Sequence, residues 1–128
     1  MRALLDTHLL LWAATGSDRL TPFVRDYLGD VASEPVFSVA SLWEVVIKSG
    51  LGRADFTVSA LALREGLLTG GYGELSITAP HTLAVGALPP VHGDPFDRML
   101  IAQASVEGCP LLTADSRLAE YGAPVRMV

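Results

Sequence analysis

The sequence predicts an α/β protein built on a mostly parallel sheet that helices cover on both faces. Short apolar segments alternate with helix-like ones along all 128 residues. The short segments are continuous apolar runs, not strict apolar–polar alternations, as expected of strands buried on both sides. No repeat, low-complexity tract or long linker divides the chain, so residues 1–128 form a single domain long enough to bury a sizeable core.

Arg2 to Leu5 is a short strand ending at Asp6. Thr7 is placed to cap a helix from His8 to about Ala14, which Gly16 helps to end. Thr21-Pro22 opens a second helix, to about Leu28, with threonine as N-cap and proline in the first turn. Pro35 to Ser38 is a second strand. A helix follows through Ser41 and Lys48, stopped near Gly50 and Gly52. Val58 to about Leu68 is another helix, closed by Gly70-Gly71, and Glu74 to Ile77 is a third strand. Pro80 to about Ala87 is a short helix, and Leu88 to Val91 a proline-stiffened loop. Asp94 is a good N-cap and Pro95 a good first helical residue for a helix to about Glu107. Pro110 to Thr113 is a strand, Asp115 to about Glu120 a helical turn or two, and Val125 to Val128 a last strand.

Half the residues are hydrophobic and the mean hydropathy is +0.39, yet no apolar run approaches a membrane span. Asp6 and His8 interrupt the apolar N-terminus, which argues against a signal peptide. The single cysteine, Cys109, excludes an internal disulfide and is expected to pack as a small buried residue. A cytoplasmic protein follows as the expectation. Fourteen acids against nine bases give a net charge of −5, which argues against broad, non-specific affinity for nucleic acid. A nucleic-acid enzyme whose acids are neutralised by bound cations stays open. The high apolar fraction also points to a buried partner or dimer surface.

Four carboxylates fall at the same kind of place. Asp6 ends a strand, and Asp115 follows one by two residues. Glu44 and Asp97 lie in the first turns of their helices. In an open α/β sheet, ligands bind beyond the carboxyl ends of the strands, so all four share one edge of the fold. Each has an ordinary explanation. Ser41-Leu42-Trp43-Glu44 is a capping-box pattern, Asp94 and Asp97 form a capping-box-like pair, and Asp115 is placed to cap the last helix. The magnitudes weigh against capping for the set. A helix dipole favours an acid by about 0.3–1 kcal/mol. Two carboxylates about 5 Å apart repel by roughly 3 kcal/mol at an effective dielectric of 20. Asp97 also starts the stripe Leu100, Ile101, Ala104 that faces the core, an odd place for an acid without a cation. Oxygen ligands of this kind suit Mg²⁺ or Mn²⁺. His8, His81 and His92 lack the spacing of a zinc motif. Thr7, Thr113 and Ser116 place hydroxyls beside the acids. Arg98, Arg117 and Lys48 are the few candidate phosphate contacts, although Lys48 also suits a helical ion pair with Glu44. Trp12 and Trp43 are expected in the core.

Asp-Thr-His-Leu-Leu-Leu-Trp at 6–12, Ser-x-x-Ser-x-Trp-Glu at 38–44 with Lys48, Asp-Pro-Phe-Asp-Arg-x-Leu-x-Ala-Gln-Ala at 94–104, and Leu-x-Thr-x-Asp at 111–115 together resemble a PIN domain. More closely, they resemble the VapC-type toxins of bacterial toxin–antitoxin pairs. The resemblance runs essentially end to end, and Asp-Pro-Phe-Asp-Arg is its most specific part. It implies a three-layer α/β/α fold and a Mg²⁺- or Mn²⁺-dependent endoribonuclease. It also implies a small VapB-like antitoxin, whose C-terminal segment wraps the enzyme, and a homodimer. Carried over, Asp6, Glu44, Asp97 and Asp115 match the acidic quartet. Asp6 and Asp97 would hold a metal ion directly, with Glu44 and Asp115 completing the site or binding a second ion. Asp94 matches a position often acidic in this subfamily, as cap or as support behind the ligands.

Other readings fit less well. A receiver domain wants paired acids after its first strand, where Leu4-Leu5-Asp6-Thr7 supplies one. A phosphatase using Asp-x-Asp needs an acid at His8, and the glycine-rich nucleotide motifs are absent. A PIN-like binding module whose acids only hold structure, and a stand-alone RNA-processing nuclease without an antitoxin, are the remaining alternatives.

Overall fold

A computed structural model describes residues 1–128. The chain runs β1 (Arg2–Leu5), α1 (Thr7–Thr15), α2 (Pro22–Gly29), β2 (Glu34–Ser38), α3 (Val39–Gly50), α4 (Ala60–Thr69), β3 (Gly73–Leu75), α5 (Ala79–Val85), α6 (Pro95–Glu107), β4 (Leu111–Thr113), a 3₁₀ helix (Ser116–Tyr121) and β5 (Val125–Met127). All five strands are parallel, in the order β3-β2-β1-β4-β5. The chain builds one half of the sheet outwards from β1, then returns to its other side. The crossover places a topological switch between β1 and β4, where open α/β sheets bind ligands. No helix is long and apolar enough to cross a membrane.

Alternate residues of the central strands feed two separate cores. Ala3, Leu5, Phe37 and Leu112 pack with Leu9 and Leu10 of α1, Val24 of α2, Val45 of α3 and Leu63 of α4. On the opposite face, Leu4, Val36 and Leu111 pack with Leu100, Ile101 and Ala104 of α6 and Leu118 of the 3₁₀ helix. These are the three layers α/β/α, with α5 resting on α6. Cys109 is buried in the second core, as its sequence context suggests.

Local chemistry sets the element ends. Thr21 accepts from the Val24 N–H and Pro22 occupies the first turn of α2. Asp94 Oδ1 accepts from the N–H groups of Phe96 and Asp97, at 2.9 and 3.1 Å, to open α6. Gly16 and Gly108 close α1 and α6 at φ 64° and 68°, a left-handed conformation that glycine adopts without a steric penalty.

Four expectations are corrected. Asp6, not Thr7, caps α1, because its side chain reaches the Leu9 N–H at 2.9 Å and frees the threonine hydroxyl. Helix α3 begins at Val39 under a Ser38 cap, so the Ser41–Glu44 capping box does not form. Strand β3 ends at Leu75, short of Ile77. Trp43 is 56% exposed rather than in the core, with its ring edge-on to Phe96 at 5.1 Å. It stands on α3 beside α6, as a wall of an apolar groove with Val85 and Met99, while Val46 and Ile47 of α3 are also exposed.

Candidate functional site

Four segments converge on one cleft at the carboxyl edge of the sheet. The cleft has a volume of about 160 Å³ and is lined by Asp6, Thr7, His8, Glu44, Lys48, Arg53, Asp94, Asp97, Asp115 and Arg117, with no hydrophobic residue among them. The structure therefore brings together all four acids singled out from the sequence, and Asp94 with them.

Each acid is held differently. Asp6 follows the central strand β1 and is 5% exposed. Its Oδ1 accepts from the Leu9 N–H and its Oδ2 from the Thr113 hydroxyl. Burial pushes its pKa up, against the pull of those two donors. Thr113 ends β4, and the same oxygen accepts the Asp115 N–H at 3.0 Å, so one hydroxyl ties two acids from opposite ends of the chain. Glu44 is buried, with one carboxylate oxygen accepting from the Thr7 hydroxyl and the other paired with Lys48. Thr7 also reaches the Ser41 hydroxyl at 2.9 Å. Asp115 caps the 3₁₀ helix through the Arg117 N–H at 3.0 Å and forms a forked pair with the Arg117 guanidinium, at 2.7 Å from Nη2 to Oδ2. That partner holds its carboxyl below the usual range.

Asp97 is the exception. Its carboxylate accepts no hydrogen bond, and the nearest cation-capable atom, His92 Nε2, stands 3.8 Å from Oδ2. That nitrogen is itself buried without a partner. Burial first, then the charges of Asp94, Glu44, Asp6 and Asp115, push the Asp97 pKa up to about 7. The helix keeps the acid there because Leu100 and Ile101 on the same stripe are fully buried. Together those two burials are worth about 3–6 kcal/mol, more than the acid's electrostatic cost of about 1–2 kcal/mol after solvent screening.

No three acids, histidines or cysteines close on one point as the side chains stand. Three of the acids are turned to partners of the chain itself: Glu44 to Lys48, Asp94 to the α6 N-terminus, and Asp115 to Arg117. The donor set nonetheless fits a hard divalent cation. It is all oxygen, its cleft has polar walls, and Asp97 carries an unpartnered carboxylate among four others.

The candidate phosphate contacts divide. Lys48 and Arg117 line the cleft. Arg98 does not. Its guanidinium donates to the Pro89, Val85 and Leu88 carbonyls, at 2.9, 3.2 and 3.5 Å, and to the Tyr121 hydroxyl at 3.2 Å. It pins the α5–α6 loop, with both terminal nitrogens of the guanidinium given to the chain itself. The aromatic faces beside Lys48, Phe56 and Phe96, carried no signal in the sequence, since Phe56 lies in the loop between α3 and α4.

Solved structures share this architecture. VapBC2 from Rickettsia felis, bound to a DNA fragment from their promoter, superposes with a TM-score of 0.71 at 13% identity, over 100% of this chain and 98% of that one. VapBC-1 from nontypeable Haemophilus influenzae gives 0.65 at 16%, over 100% and 97%. A toxin–antitoxin complex from Klebsiella pneumoniae gives 0.66 at 16%, over 97% and 95%. A search of curated proteins found no match to the sequence. The model of the PIN domain matches residues 3–124, and with its parallel sheet and edge cleft the chain belongs to the PIN domain family.

Proposed function

We propose that the protein is a Mg²⁺- or Mn²⁺-dependent endoribonuclease, the toxin of a toxin–antitoxin pair acting in the cytoplasm. The observation that carries the reading is the convergence of Asp6, Glu44, Asp94, Asp97 and Asp115 on one polar cleft at the switch of the sheet. Asp6 and Asp97 would hold the ion directly, with Glu44 and Asp115 completing the site or binding a second ion. A divalent ion bound there supplies positive charge for the scissile phosphate and acidifies attacking water. The chain's own groups do the rest. The Thr113 hydroxyl and Leu9 N–H fix Asp6 in one orientation. A cleft carboxylate not engaged by the ion would take the proton of the attacking water as the phosphorus–oxygen bond to the leaving nucleoside breaks. RNA as substrate follows the resemblance to VapC-type toxins.

A VapB-like antitoxin is the proposed inhibitor. An apolar groove of about 310 Å³, lined by Trp43, Ile77, Val85, Phe96 and Met99 among others, shares Phe96 with the wall around Lys48. A segment laying apolar side chains there would reach the acids with an arginine. The solved complexes named above support that pairing. A second copy of the chain is the proposed cover for the outer face of α3, where Val46, Ile47 and Leu51 are exposed. One observation favours a non-catalytic module instead: Glu44 and Asp115 already have cationic partners from the chain. The test is cleavage of structured RNA by the purified protein with Mn²⁺ or Mg²⁺. Cutting that stops in chelator and is suppressed by co-expressed antitoxin is expected. Cutting undiminished in excess chelator rejects the metal mechanism, and no cutting under any metal favours the binding module.

A further inference from the structure

The chain has one lysine against eight arginines, and that lysine lies in the acidic cleft. Its side chain is 15% exposed, whereas Arg117 at the rim is 71% exposed. The Lys48 ammonium pairs with Glu44 and stands 3.7 Å from Asp94 Oδ2. The ring centres of Phe56 and Phe96 lie 5.1 and 5.7 Å from Nζ. Two carboxylates and two aromatic faces thus hold one ammonium in place. An ordinary ion pair between residues four apart on a helix is worth about 0.3–0.5 kcal/mol and needs no such walls. Cation–π contacts with a desolvated ammonium add energy at the same atom.

The consequence falls on Glu44. Both of its oxygens are committed, one to Thr7 and one to Lys48. Each oxygen keeps a further lone pair, but while Lys48 stays its positive charge opposes a divalent ion at Glu44. Asp6 and Asp97, which line the same cleft, have no lysine or arginine partner.

Resting on the nuclease reading above, we propose that Lys48 is a built-in cation of the cleft. It occupies the place a second divalent ion would otherwise take, so the site binds one ion, and it offers a remaining N–H to a substrate phosphate oxygen. An ammonium has three donors; Glu44 takes one, and Asp94 at 3.7 Å is an ion-pair neighbour beyond hydrogen-bond reach.

The test counts bound metal before it measures activity. Full-length protein is titrated with Mn²⁺ alone, and bound ion is read by electron paramagnetic resonance. The wild type and Lys48→Arg are expected to bind one ion per chain, and Lys48→Met two, because Glu44 and Asp94 are released. Glu44→Gln combined with Lys48→Met removes the pair without leaving a buried charge, and is expected to bind one. If Lys48→Met does not melt cooperatively, Lys48→Gln, whose neutral amide still donates to Glu44, takes its place: two ions are expected, and one ion overturns the proposal. RNA cleavage at saturating Mn²⁺ is expected to fall on the order of a hundredfold in Lys48→Met, despite its extra ion, with partial recovery in Lys48→Arg. One ion with wild-type affinity in Lys48→Met overturns the proposal, as do two ions in the wild type or in the double variant. Those results leave the nuclease reading standing. A wild type that binds no Mn²⁺ and ignores chelator overturns both.

Discussion

Asp97 shows how one residue carries opposite costs in two states. Its pKa, about 7, lies above the 3.8 of an ordinary aspartate. Between those values the native chain holds more protons than the unfolded chain, so metal-free protein is expected to lose stability as pH rises from about 4 to 7. Asp97→Asn keeps the shape and removes the charge. Thermal melting in chelator should show the variant more stable than the wild type above pH 7, by about 1–2 kcal/mol after solvent screening, with the pH slope flattened. Added Mg²⁺ should raise the wild-type melting temperature much more than that of the variant, and RNA cleavage should fall by orders of magnitude. A variant that melts lower in chelator and gains as much from Mg²⁺ would make Asp97 an ordinary helix acid. The four acids were legible from sequence because each follows a strand end or opens a helix. The hydroxyl of Thr113 was legible as a neighbour but not as the tie between Asp6 and Asp115, since that link joins residues 107 apart.

Among the elements, α6 with the loop before it is the best determined. Asp94 and Pro95 announce its start, and Leu100, Ile101 and Ala104 give its buried stripe. Arg98 belongs to this unit, holding three carbonyls and a hydroxyl with one planar group. A lysine has a point charge and cannot reproduce that fork. Arg98→Lys is therefore expected to cost about 1–3 kcal/mol of stability in denaturant unfolding. In Arg98→Gln, which removes the charge, the slope of log RNA affinity against log salt should not change. A slope reduced by about 0.7 would instead identify Arg98 as a phosphate contact. Sequence left this open because a guanidinium next to an acidic motif looks alike in both roles. Cap chemistry is local and was legible at Thr21 and Asp94. It misled at α3, where Ser38 and Ser41 both offer a hydroxyl and the strand that precedes the helix decides between them.

At the scale of the molecule, the two cores share their strands. Leu4 faces one core while Ala3 and Leu5 face the other, and β2 and β4 alternate likewise. Neither core can come apart without the other, so unfolding is expected to be a single transition. Curves followed by far-UV circular dichroism and by tryptophan fluorescence should superimpose; two separated midpoints would mean that the layers melt independently. Fold class and strand direction were legible because continuous apolar strands between helices admit few topologies. The exposure of α3 was not. An apolar residue such as Trp43 looks the same in sequence whether its cover comes from this chain or another.

The strand order also governs when the cleft comes into being. Asp6 is made 107 residues before Thr113 of β4, its neighbour across the sheet. The pairing of β1 with β4 closes nearly the whole chain into one loop, a contact of high order that forms slowly. A nascent chain on the ribosome has its first helices and half its sheet long before it has Thr113 or Asp115 to complete the acidic pocket. Whatever chemistry this cleft performs is withheld until Thr113 and Asp115 have been made and β4 has paired with β1.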